Sequence, residues 1–330
     1  MNRYEEKIAR MVAGQDSRTD FILADAKDSD MAAGISATGL HRHPVSMQEK
    51  RSRFRTRRDY LDVIRTILDQ DVVDIMLTSA SILETLLQED AFAGTRIQSA
   101  IRANDTTDLW RGRGSSYQSQ KSVPFRSASL MKAQTNLGLY SMTFNGDAEQ
   151  DSLALEEFAR FREEAAERRF SYFLEVFNPN EGRISRADHG FFLNDMIVRC
   201  LAGLRREERP VFLKVPFNGA EALTELCEFD PSVIVGIMGG GSGTTRDCLE
   251  LLHQAQCCGA RAALFGRKIV DADDPVLLIE AMRSVTDGAL SPMEATHLYH
   301  EKMGKRGLVA GRDLEIDSVV TETVLLERAA

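Results

Sequence analysis

Short apolar runs, each too brief for a buried helix and each closed by polar or turn-forming residues, recur along the chain with room for one amphipathic helix between them. In order they predict eight strands: Phe21–Asp25, Val72–Thr78, a less distinct third within Thr95–Ala103, Leu137–Phe144, Tyr172–Phe177, Val211–Val215, Ser232–Met238 and Ala262–Phe265. The segments between them carry helical periodicity. Helices are expected over about Tyr60–Gln70, through Leu83, Leu86 and Leu87, and over Ala148–Arg169, where Glu156/Arg160 and Glu164/Arg168 have the favourable i, i+4 order. Others are expected over about Asp188–Leu204, Glu221–Glu228 and Arg246–Cys258. Punctuation agrees with this pattern. Gly259 reads as the residue beyond a helix end, Asp274 and Pro275 as N-cap and first turn of the next helix, with Gly288 closing it, and Ser291 with Glu294 as a capping box for a last helix to about Lys302.

Strands that are apolar on both faces and alternate with helices belong to a parallel sheet covered on both sides. Eight of them predict a (β/α)8 TIM barrel: a single domain over 1–330, with the barrel at about 21–288 and a C-terminal helix and tail over 289–330. An N-terminal helical extension, Arg3 to Ala13, precedes it. A doubly wound sheet is the alternative, but it calls for a Gly-rich turn after the first strand, where this chain has none. A long loop after strand three, Asn104–Ser129, holds Asp105, Asp108, Trp110, Arg111, Arg113, Lys121 and Arg126. It reads as a substrate-covering loop, with disorder as the competing reading.

Charge narrows the partners. Forty-one basic against 50 acidic residues give a net charge of −9, which offers no general attraction to nucleic acid or anionic membrane, so an anion must be caught locally. The first residues are charged and no apolar run reaches the roughly 18 residues of a membrane span, so a cytoplasmic location is expected. The five cysteines form no Cys-x-x-Cys pair and read as reduced, half-buried helix thiols. The run Lys50–Arg58 is six parts basic in nine; a solvated helix start and an anion or subunit contact both fit it.

Two strands carry a charge where none is expected. Lys214 sits near the end of the Val211–Val215 run, and Glu175 sits inside Tyr172–Phe177. An ammonium partly stripped of water at a strand mouth has its pKa lowered from about 10.4 toward neutrality, which makes an amine able to attack a carbonyl. Snorkelling to solvent and pairing with a carboxylate are the structural alternatives. After strand seven come Gly239, Gly240, Gly241 and Ser242, and after strand eight Gly266 and Arg267. Barrels of this kind bind phosphate at those two loops. The seven-residue Gly-rich segment lacks the lysine of a nucleotide-binding loop, so ATP or GTP is not expected. No cofactor is called for, nor a metal: the six histidines are scattered, with close pairs only at His41/His43 and His297/His300.

With Glu175, Lys214-Val215-Pro216, the glycines from 239 and Gly266-Arg267 in these places, the chain resembles the class I aldolase family that includes tagatose bisphosphate aldolase, deoxyribose-phosphate aldolase and the archaeal-type fructose bisphosphate aldolases. The resemblance runs from about Phe21 to Val285. It implies Lys214 as the Schiff-base lysine, Glu175 as an acid/base group, Asp25 as a polar group at strand one, and Gly240, Gly241, Gly266 and Arg267 as the phosphate site. The chain departs from the tagatose type in strand four, where Leu139-Tyr140-Ser141-Met142 offers no second lysine. Tyr140 is a candidate substitute or a buried structural tyrosine; Lys27 is a candidate for catalysis or binding, or part of a surface ion pair. Arg111, Arg113 and Arg126 are candidates for a second anion. The reaction so implied is cleavage of a phosphorylated ketose or deoxy-keto sugar acid, releasing dihydroxyacetone phosphate. The alternatives are acyl transfer or isomerisation of a phosphorylated dicarbonyl, and a phosphosugar-binding regulatory protein without turnover. A homo-oligomer is expected, with the basic run and the tail residues Val319, Val320, Val324 and Leu325 as candidate contacts.

Overall fold

The computed structural model describes residues 1–40, 54–241 and 243–326; His41, His43, Pro44, the 50–53 part of the basic run and Ser242 lie outside the described residues. Eight strands form one closed barrel: β1 (Ile22–Lys27), β2 (Ile75–Thr78), β3 (Gln98–Arg102), β4 (Leu137–Thr143), β5 (Ser171–Phe177), β6 (Leu213–Val215), β7 (Val235–Met238) and β8 (Ala262–Phe265). All eight pairings are parallel, and β8 closes on β1. The TIM-barrel expectation holds.

Alternation along the strands divides the core in two. Ile22, Ala24, Ile75, Leu77, Ala100, Leu139, Phe173, Phe212, Ala262 and Leu264 fill the barrel interior, and the residues between them face the helices. The floor of the barrel is the N-terminal extension, helix α1 (Arg3–Val12), whose Tyr4 and Met11 join the interior cluster. A buried carboxylate fixes that floor. Asp74 accepts from Leu23 N at 2.8 Å, Lys7 Nζ at 3.0 Å and Arg283 Nη2 at 2.7 Å, and Arg3 Nε lies 3.1 Å away. Asp74→Ala strands these cations without a counter-charge and is expected to cost about 3–5 kcal/mol in urea unfolding.

The outer layer is α2 (Arg57–Gln70), α3 (Ala80–Gln88), α4 (Ala148–Arg168), α5 (His189–Ala202), α6 (Ala220–Phe229), α7 (Thr245–Cys257) and α8 (Pro275–Thr286), with α9 (Pro292–Lys305) after it. The capping signals read from sequence are present: Asp274 accepts from Leu277 N with Pro275 following, and Ser291 and Glu294 cap each other. The expected helix over about Tyr60–Gln70 starts earlier: α2 begins at Arg57 because Thr56 and Asp59 form a capping box. Arg57 and Arg58 of the basic run are thus its first turn. Cys257 departs from the expectation of half-buried thiols: it ends α7 on the outer side and is exposed.

The crossover from β3 to β4 has no α-helix. It is built of 3₁₀ turns and a two-residue hairpin pairing Asp105–Thr106 with Pro124–Phe125. Trp110 packs edge-on to Tyr117 and Phe125, each at 5.1 Å between centroids. Part of the tail packs on its own barrel: Leu325 is buried and Val320 and Val324 lie against the core, while Val319 is exposed. Asp247 in the first turn of α7 pins it, accepting from Thr321 N at 2.7 Å and Glu322 N at 3.1 Å.

Candidate active site

Side chains that the barrel turns inward at the C-terminal ends of its strands meet in one cavity of about 280 Å³. Ser141, Glu175, Lys214 and Gly236 are successive cross-strand partners, so β4, β5 and β6 deliver one polar side chain each to a single level. Lys214 Nζ lies 2.6 Å from Glu175 Oε1, and both residues are buried. The pairing reading of Lys214 therefore holds together with its place at a cavity. On its other oxygen, Glu175 accepts from Ser141 Oγ at 2.7 Å and from Arg102 Nη2 at 3.3 Å.

Arg102 is, with Asp28 and Ser141, among the residues that sequence reasoning missed. It ends β3, is 6% exposed, and places Nε 2.6 Å from Asp28 Oδ2 and Nη1 2.9 Å from Ser141 Oγ. Burial works against its charge, but Asp28, Glu175 and Asp105 outweigh that and hold its pKa above the ordinary value. Burial likewise opposes charge on Asp28, and the Arg102 guanidinium, then the Lys214 ammonium, keep its pKa low. The result is a buried, charge-balanced row: Asp28, Arg102, Glu175, Lys214.

Asp25 and Lys27 are not in it. Ala24 and Ala26 take the inward positions of β1, so Asp25 and Lys27 point to the helix layer, as do the partners of Asp25 in the ladder, Met76 and Phe265. Lys27 Nζ lies 2.5 Å from Asp25 Oδ1, and neither residue is exposed, so the ion pair offered as one reading of Lys27 is present but buried, not at the surface. Burial raises the Asp25 pKa and lowers that of Lys27. The carboxylate that β1 brings to the cavity is Asp28. Tyr140 is also turned outward, stacked on Phe161 at 4.4 Å among core residues, and Ser141 is the polar side chain β4 sends inward.

The rim is cationic on one side. Gly239, Gly240, Gly266, Arg267 and Arg111 line it, and Gly241 follows at its edge. Gly239, Gly240 and Gly241 donate no backbone hydrogen bond among the described residues. At Gly266 a Cβ would lie 2.6 Å from Ala26 O, so this loop can pass β1 only as glycine. The guanidiniums of Arg111 and Arg267 make no hydrogen bond or ion pair among the described residues; desolvation, then repulsion from Arg111, lowers the Arg267 pKa to about 10. Arg113 is elsewhere, 5.6 Å over the Phe54 ring, and Arg126 is held by Glu164 at 2.6 Å. The crossover after β3 reaches the site: Arg111 N donates to Ala32 O at 2.8 Å, and Leu109 and Arg111 line the cavity.

The same crossover supplies a pH probe. Trp110 Nε1 donates to Asp105 Oδ2 at 3.2 Å, and burial raises the Asp105 pKa from 3.8 to about 6. Trp110 is the sole tryptophan, so its fluorescence is expected to titrate with a midpoint about 6 and to lose that transition in Asp105→Asn. A raised carboxylate pKa means that the folded chain holds a proton the unfolded chain has lost between 3.8 and about 6, so this group's contribution to stability declines as pH rises through that window.

No protein-family model matches the chain, and neither does any curated protein sequence. Solved structures do match. A fructose-bisphosphate aldolase from Slackia heliotrinireducens aligns over 91% of this chain and 90% of its own at a TM-score of 0.65 and 13% identity. The fold is that of these aldolases. An archaeal fructose 1,6-bisphosphate aldolase aligns over 86% of this chain and 99% of its own at a TM-score of 0.61 and 14% identity. A Schiff-base-forming fructose-1,6-bisphosphate aldolase, whose reaction intermediates were analysed structurally, gives 86%, 99%, 0.61 and 15%. Among the described residues no helix is long and apolar enough to cross a membrane.

Proposed function

We propose that the chain is a class I aldolase that forms an imine between Lys214 and the ketone of a phosphorylated substrate. The observation that carries this reading is the buried contact of 2.6 Å between Lys214 Nζ and Glu175 Oε1, at a cavity whose rim presents two guanidiniums and backbone N–H groups with no partner among the described residues. A lysine whose only task was to satisfy a buried carboxylate would not need such a cavity.

Glu175 takes a proton from the Lys214 ammonium, and the amine lone pair attacks the substrate carbonyl carbon. Protonated Glu175 gives its proton to the carbinolamine hydroxyl, which leaves as water, and the protonated imine remains. Glu175, again a carboxylate, then removes the proton of the hydroxyl two carbons from the imine carbon. The O–H pair becomes the π bond of the new carbonyl, the Cα–Cβ pair becomes the C=C bond of an enamine as the C=N π pair moves onto nitrogen, and the aldehyde leaves. Protonation of the enamine and addition of water release the keto product and the amine. Ser141 and Arg102 hold Glu175 aligned through this cycle, so that one carboxylate serves both proton transfers and a second lysine on β4 is not required.

The half-reaction is testable without knowing the aldehyde. Dihydroxyacetone phosphate in D2O is expected to exchange a C3 hydrogen for deuterium in the presence of the protein, followed by NMR. No exchange with this or any other keto phosphate sinks the aldolase reading.

A further inference from the structure

After α9 the chain returns to the ends of β7 and β8 and is held there mainly by polar contacts. Its apolar anchoring is light: Leu325 is buried, whereas Leu314, Ile316 and Val319 are exposed. The polar contacts converge on two short stretches. One is the start of α7, where Thr245 N donates to Asp317 Oδ1 at 2.9 Å and Thr244 Oγ1 to Val319 O at 2.8 Å. Asp247, in the same turn, accepts from Thr321 N at 2.7 Å, Thr321 Oγ1 at 2.6 Å and Glu322 N at 3.1 Å. The other is the one-turn helix Arg267–Val270 directly after β8, where Lys268 Nζ donates to Glu322 Oε1 at 2.7 Å.

These two stretches carry the glycine and arginine rim of the cavity. Thr244 comes three residues after Gly241, and Lys268 follows Arg267 directly. Gly243 shows how close the tail comes to the first loop: its φ is +53°, and a Cβ there would lie 2.7 Å from Asp247 Oδ2 and 3.1 Å from Glu322 Oε1. Glu322 touches both sides, its N–H bound to Asp247 and its carboxylate to Lys268. The Lys268 side chain is 1% exposed, so its ammonium cannot exchange that carboxylate for water, and the turn that begins with Arg267 is held where Glu322 stands.

We propose that Glu322 is a positioning residue for the phosphate side of the site: together with Thr321 it ties the loop after β7 to the loop after β8 and sets the spacing between the rim glycines and Arg267. This role rests on the reading that a substrate phosphate is received at that rim. Glu322 meets no reacting atom, so its loss acts on phosphate binding and leaves the Lys214 chemistry in place. A shift of about 1 Å in a positioning group can cost about 10²-fold.

Glycerol 3-phosphate has no carbonyl and forms no imine, so calorimetry with it reads the phosphate side alone. Glu322→Ala is expected to weaken its binding about tenfold or more. Lys268→Met removes the same tie without leaving a buried charge; it is expected to do likewise, and the double variant to bind no more weakly than either. In deuterium exchange, Glu322→Ala is expected to raise KM for dihydroxyacetone phosphate by a similar factor and to leave exchange into dihydroxyacetone, which lacks the phosphate, within about twofold of wild type. A tail that only stabilised the fold would lower the urea midpoint and leave the glycerol 3-phosphate affinity of the folded variants unchanged. That result overturns the role, as do equal losses with the two ketones or a wild-type chain that does not bind glycerol 3-phosphate. Failure of deuterium exchange with the glycerol 3-phosphate ratios intact overturns the aldolase reading only.

Discussion

Replacing Lys214 by alanine is expected to abolish imine formation and to lower deuterium exchange into dihydroxyacetone phosphate by about 10⁴-fold or more, since the proposed reaction gives no other group the nucleophile's role. The same change leaves Glu175 buried beside Arg102 without its closest partner. Loss of activity in this variant alone therefore mixes chemistry with stability. Lys214→Arg separates them. A guanidinium keeps a positive charge near Glu175 but has no lone pair for attack at neutral pH, so this variant is expected to be folded by circular dichroism and equally inactive. Exchange retained in either variant places the nucleophile elsewhere.

Arg102→Leu has the largest expected effect on stability within the site. The guanidinium bridges Asp28 at 2.6 Å and Glu175 at 3.3 Å, and its removal leaves two buried carboxylates with only Lys214 to answer both. Truncating one partner of such a network costs about 3–5 kcal/mol, read as a lower urea midpoint at unchanged slope. Catalysis is expected to fall as well, because Glu175 loses the guanidinium that, with Ser141, holds its Oε2 in place. Arg102→Lys restores a charge without the fork that reaches Asp28, Ser141 and Glu175 together, and is expected to recover stability more than activity. Unchanged stability in Arg102→Leu would show that the network is not balanced by this residue.

The barrel and half of the polar row were legible because charge inside an apolar strand stands out. Lys214 and Glu175 are flanked on both sides by large apolar residues, and the loops after β7 and β8 announce themselves by glycine. Arg102 obeys the same rule, but β3 reads Gln98-Ser-Ala-Ile-Arg102, with too little apolar contrast for the charge to look out of place. The misplacement of Asp25 has a different cause. A barrel strand is buried on both faces, so its sequence carries no in/out alternation, and whether Asp25 or Asp28 reaches the cavity depends on parity within Ile22–Lys27. Parity likewise chose Ser141 over Tyr140 on β4. The roles of Arg111, Arg113 and Arg126 were beyond sequence for another reason: they come from one irregular crossover, and only its path over the mouth and the partners Phe54 and Glu164 distinguish them.

Borohydride reduction in the presence of dihydroxyacetone phosphate, followed by peptide mass spectrometry, addresses the Lys214 imine most directly. The account expects a stable adduct on the peptide containing Lys214, absent in Lys214→Arg. An adduct on Lys27 or Lys268 with Lys214 unmodified, or none with any keto phosphate, would contradict it.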